Sequence, residues 1–98
     1  MFFVTITWSV ERNGNETYLT AVNSGGRRLK VSSLQVKDAS GNSVSLGEGL
    51  NGYVLAGSSM RWVLPAKAQK LALQGPVVVS ARGDDGPFNA QASANAAR

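Results

Sequence analysis

The sequence predicts an all-β sandwich, and three observations carry that prediction. Apolar and polar residues alternate with period two in several separate segments, the pattern of strands with one buried face. Glycine-, asparagine- and aspartate-rich breaks separate those segments at near-regular spacing. The stretch Tyr53–Pro65 (YVLAGSSMRWVLP) has the form strand, turn, strand, with Trp62 in phase with Met60 and Leu64. About seven or eight short strands arranged in this way make a sandwich or a small barrel.

The elements follow in order. Val4–Glu11 (VTITWSVE) is a strict alternation, with Val4, Ile6, Trp8 and Val10 on one face. Arg12-Asn13-Gly14-Asn15 is a turn in which Asn-Gly supplies positive φ. Thr17–Asn23 returns as the partner strand of a hairpin, and Ser24-Gly25-Gly26 breaks the chain. Arg28–Lys37 is a third strand: Leu29 and Val31 share one phase, and Leu34 and Val36 share the other. The slip at Ser32-Ser33 predicts a β-bulge.

Asp38–Asn42 is a polar turn, and Ser43–Leu46 is a short edge strand. Gly47-Glu48-Gly49 loops to the Tyr53 strand, and Pro65 ends the strand after it. Ala66–Gln74 is too short for an independent helix and reads as a connection with a strand-like Leu71-Ala72-Leu73 end. Pro76–Arg82 is a β-branched strand, Gly83–Gly86 a turn, and Pro87–Ala92 a last, weaker strand. Residues 1–92 are therefore expected to form one domain and 93–98 a flexible polar tail.

Composition excludes much chemistry. The 98 residues contain no cysteine and no histidine, which removes disulfides, thiolate sites and the commonest general base and metal ligand. The acids Glu11, Glu16, Asp38 and Glu48 are scattered, and only Asp84-Asp85 is a pair. A hard cation wants about six oxygen ligands, so that pair reads as two solvated turn carboxylates. No catalytic residue, metal or cofactor is expected, and an enzyme is disfavoured.

Net charge is +4, from ten Lys and Arg against six acids. The basic residues lack the dense, aromatic-interleaved stripe of a nucleic-acid surface, so no nucleic-acid partner is expected. Their one cluster is Arg27-Arg28-x-Lys30, in which Arg28 and Lys30 share the strand face opposite Leu29 and Val31. These two are the candidate binding residues, aimed at an acidic partner. Arg82-Gly83-Asp84 matches an adhesion tripeptide, and Asn15-Glu16-Thr17 matches an N-glycosylation pattern, but each lies where a turn already explains it. Trp8 and Trp62 are expected to lie buried between the sheets. No segment nears the ~20 apolar residues of a membrane span, so no membrane insertion is expected. Met1–Val4 is too short for a signal peptide.

Four segments taken together resemble a known family. They are the Trp8 strand, Tyr18–Val31, Tyr53–Pro65 and Ala81–Gly86. Their order is similar to the second immunoglobulin-like domain of periplasmic pilus chaperones of the chaperone–usher class. Asn23-Ser24 stands at an Asn-Pro turn, Leu55-Ala56-Gly57-Ser58 at the mid-domain turn, and Arg82–Gly86 at the final turn. Ser24 replaces the proline and the final turn lacks its aromatic, which implies a divergent member of the spore-coat-like or archaic pilus branch.

The resemblance implies an immunoglobulin-like antiparallel β-sandwich of about seven or eight strands. It also implies a periplasmic location, with the signal peptide outside this chain, and pilin subunits and the outer-membrane usher as partners. In the family, the donor strand and the anchor for the subunit's C-terminal carboxylate belong to a first domain, which nothing in this chain matches. Partner binding is therefore expected only together with that domain. A generic immunoglobulin-like surface or adhesion module is the alternative.

Overall fold

Eight strands pair into one mixed sheet that curls on itself as a half-barrel, in the order β4-β3-β7-β8-β1-β2-β6, with β5 also on β3. This computed structural model describes residues 5–96, with side chains through residue 94. The strands are β1 (Ile6–Asn13), β2 (Glu16–Asn23), β3 (Leu29–Asp38), β4 (Ser43–Ser45), β5 (Leu50–Val54), β6 (Ser59–Val63), β7 (Val77–Gly83) and β8 (Gly86–Ala96). Val4, which the alternation assigns to the first strand, lies outside the described residues.

β1 and β2 form the expected hairpin, with Asn13 opposite Glu16 and a two-residue loop between them. Positive φ falls on Gly14, at +64°, rather than on an asparagine. Glycine at the first central position fits a hairpin turn whose twist matches its strands. Trp8 and Val10 point inward from β1 and are met by Leu19 and Ala21 from β2, all buried.

β3 carries the predicted bulge. Ser33 has φ 51°, and the ladder to β7 slips between Ser32 and Gln35. The extra residue puts Val31, Leu34 and Val36 on the same buried face despite their clashing phases. It also divides the outer side of β3 between two partners. β5 pairs with Leu29–Ser32, and the edge strand β4 pairs with Gln35–Lys37.

Three expectations are corrected. First, the chain beyond Ala92 is not a loose tail as far as Ala96. β8 pairs antiparallel with β7 up to Ala92, then parallel with β1 from Ala92 to Ala96. Its alanines are weak strand formers, but each part of the strand has a neighbour to pair with, β7 before Ala92 and β1 after it. The sheet is consequently mixed rather than wholly antiparallel.

Second, Leu71-Ala72-Leu73 joins no ladder. It follows a 3-10 turn at Ala66–Lys70, and its leucines, with Ala68, plug the open end of the core. Third, Trp62 is only half-buried, whereas Trp8 is 3% exposed. Trp62 lies on an edge strand, where neighbours cover it from one side.

Candidate functional site

The two ends of the curled sheet differ in chemistry. At one end, the inward face of β1 finishes with Arg12, in phase with Trp8 and Val10. Its guanidinium donates to the carbonyls of Ala68 and Leu71 at 2.9 and 3.0 Å. The Ala68 carbonyl also accepts from the Leu71 N–H, so the guanidinium adds a second donor there and supplies one to the Leu71 carbonyl just past the turn.

Asp38 closes the same end. It is buried, and one carboxylate oxygen accepts from the backbone N–H groups of Ser40 and Asn42. The other accepts from the N–H of Ala72 at 2.7 Å and the side chain of Asn42 at 3.1 Å. The Ala72 N–H, foremost among these donors, holds the carboxyl below its usual range. The polar turn foreseen at Asp38 is thus a buried hydrogen-bond knot. Its sequence signal was an aspartate in phase with Leu34 and Val36.

The other end gathers the turns singled out in the sequence. Asn23, at the close of β2, is 1% exposed. Its side-chain amide donates to the carbonyls of Arg27 and Val54 at 2.7 and 3.0 Å, and its side-chain oxygen accepts from Gly25 N–H at 2.9 Å. Its main chain exchanges hydrogen bonds with Ser58 and Gly57. One buried asparagine therefore holds the 24–28 loop and the 55–58 turn together, and fixes the backbone from which Arg28 projects.

Arg28 is exposed and Lys30 half-buried. Lys30 sits opposite Tyr53 across the β3/β5 ladder, and the Arg28 guanidinium lies 4.9 Å from the centre of the Tyr53 ring. Tyr53, 39% exposed, was not among the predicted binding residues. Its signal was its phase: Val54 turns inward, so Tyr53 must turn outward beside the cations. The three side chains form a basic patch on an aromatic support.

Beside this patch the core opens to solvent. Ile6, Trp8, Leu29, Phe88 and Ala90 line a cleft of about 340 Å³, and Asp84 and Asp85 stand on its rim. Trp8 forms the floor, with Phe88 tilted against it at 6.2 Å between ring centres. Asp84-Asp85 is the two-residue loop of the β7/β8 hairpin, whose last pair is Gly83 with Gly86. The adhesion-like tripeptide is accordingly split, since Arg82 pairs with Pro87 in the ladder and only Asp84 reaches the loop.

Thr17 of the glycosylation pattern is 2% exposed within β2. Among the described residues, no three acidic residues cluster in a way that would hold a metal ion. No helix among them is long and apolar enough to cross a membrane.

No protein-family model matches the chain, and no curated protein matches it. Among solved structures, it is similar to a Bordetella pertussis protein that bears the provisional name ApaA. The identity is 14%, the match covers 94% of this chain and 88% of that one, and the TM-score is 0.39.

Proposed function

We propose that this chain is a non-catalytic protein-binding module with an immunoglobulin-like strand plan, and more narrowly the second domain of a periplasmic pilus chaperone. The observation that carries this reading is the convergence of the motif positions. Asn23, from the Asn-Ser turn, and Gly57-Ser58, from the mid-domain turn, are far apart in sequence yet bond directly to each other. A motif set that marks one structural end fits a family signature better than chance alternation does.

The ladders support the broader reading. An immunoglobulin-like reading would group the strands as β1-β2-β6 and β4-β3-β7-β8, which the parallel β1/β8 pairing joins into one sheet here. β5 departs from that plan, since it pairs with β3 rather than β6.

In this role the domain works with a first domain that supplies the donor strand for β-augmentation of a pilin. It adds one wall of the binding cleft and a docking surface for the usher. The Arg28–Lys30–Tyr53 patch is the contact offered to an acidic partner surface.

The test is co-expression with the pilin encoded nearest the gene. The two-domain parent should retain the pilin on purification, and the present chain alone should not. Capture by this chain at comparable yield would contradict the division of labour. A parent that retains no pilin would favour a generic immunoglobulin-like surface or adhesion module.

A further inference from the structure

The cleft beside the basic patch has the opposite chemistry, and it does not depend on the chaperone reading. Its walls are apolar, from Ile6, Leu29 and Phe88 over Trp8, and its rim carries Asp84 and Asp85 side by side. We propose that this cleft receives a basic side chain, Arg or Lys, from a protein partner. The hydrocarbon stem lies along Leu29 and Phe88, and the cationic head reaches the two rim carboxylates.

Three observations argue for that occupant. A long basic side chain is apolar along its stem and charged at its tip, the same division that the cleft shows from floor to rim. The two carboxylates are adjacent in an exposed two-residue loop, so they accept charge without desolvation of the chain's interior. A planar guanidinium matches such acceptors and also stacks on aromatic faces. Size argues for a protein partner over a free small molecule. About 340 Å³ is at the low end for a ligand pocket, and an open rim would leave a free ligand largely solvated. A single side chain delivered by a larger surface does not face that limit.

The position is informative as well. The cleft and the Arg28–Lys30–Tyr53 patch share Leu29 as a border: its side chain lines the cleft, while its neighbours on either side point to the patch. One partner surface with an acid beside a base would therefore find both complements, and this pairing also sets its orientation.

The experiment uses the whole chain, isotope-labelled, and follows backbone amides by NMR. The probe is a capped tripeptide with a central arginine, compared with the same peptide carrying citrulline, its neutral isostere. The arginine peptide should shift the amides of Leu29, Asp84, Asp85 and Phe88, and Trp8 fluorescence should change with the same midpoint. Citrulline should bind about tenfold more weakly or worse, the loss expected for a charge-assisted contact. The double variant Asp84→Asn/Asp85→Asn should lose the same factor for arginine while its citrulline binding stays unchanged. Its melting temperature should match the parent, since both positions are exposed loop residues. Equal affinity for arginine and citrulline, shifts confined to other surfaces, or undiminished arginine binding by the double variant would each overturn the proposal.

Discussion

Trp8 and Trp62 stack across the inside of the curled sheet, with ring centres 6.1 Å apart and planes 17° from parallel. The contact joins the central strand β1 to the edge strand β6 without a shared ladder. The Trp62 indole N–H donates to the carbonyl of Asn51 at 3.1 Å, which ties β5 to the same stack. Gly52 beside it has φ 148°, and a Cβ there would lie 2.5 Å from the terminal methyl of Met60, which would have to move aside. β5 and β6 thus close the open side of the curl through side chains.

The two tryptophans should not be equivalent. Trp8→Ala should cost about 3–5 kcal/mol, the range for removal of a large buried aromatic. Trp62→Ala should cost less, because part of its surface already faces solvent. Urea unfolding with an unchanged m-value measures both, and equal losses would show that the stack, rather than burial, dominates.

Asp38 should make stability acid-sensitive. Its carboxyl is held below the usual aspartate range by the Ala72 N–H first, with the Asn42 and Ser40 donors adding to it. A carboxylate with a depressed folded pKa contributes stability above its unfolded pKa and loses it as pH falls through the folded value. Asp38→Asn should therefore melt lower than the parent at pH 7, and the gap should narrow as pH drops below about 4. A gap that holds constant down to pH 2 would mean that shape, not charge, matters there.

Arg12→Met keeps the hydrocarbon stem and removes the two hydrogen bonds to Ala68 and Leu71. The expected loss is about 1.5–3 kcal/mol, typical of hydrogen bonds from a charged group. Faster hydrogen exchange at Ala68 and Leu71, with β1 amides unchanged, would show that the 3-10 turn has been released. Unchanged exchange at both would show that the turn is held by its leucines alone.

The double reversal Arg28→Glu/Lys30→Glu should leave folding within about 1 kcal/mol of the parent. Only a surface cation–π contact with Tyr53 is lost. Under the proposed chaperone role, the same change in a protein carrying both domains should weaken capture by the usher, with a steep dependence on salt in the unmodified protein. Undiminished capture would remove the patch from the docking surface.

Strand positions and their inward faces were legible in the sequence, because period-two alternation is a local property that each strand carries alone. The bulge at Ser32-Ser33 could be read for the same reason, since two apolar phases can share one face only if a residue is inserted. Arg28 and Lys30 were placed on a common outer face, but Tyr53 joined them only through a cross-strand register that no single segment encodes. Asp38 and Arg12 share the phase of buried neighbours, a signal that their charge outweighs when the sequence is read alone. Their burial depends on where residues 66–73 fold back, a long-range contact set by the plug of Ala68, Leu71 and Leu73.

The end of β8 was the plainest case. Ala90, Ala92 and Ala94 carry little strand propensity, and what makes them a strand is pairing with β7 as far as Ala92 and with β1 from Ala92 on. The sequence by itself determined the all-β class, the hairpins and most of the buried face, through local turn chemistry and hydrophobic period. Only the tertiary structure decided that the sheet curls into one mixed surface, that a parallel seam joins β1 to β8, and that a cleft opens beside a basic patch. Strand order is decided by which edges meet after collapse, and alternation within a strand says nothing about its neighbours.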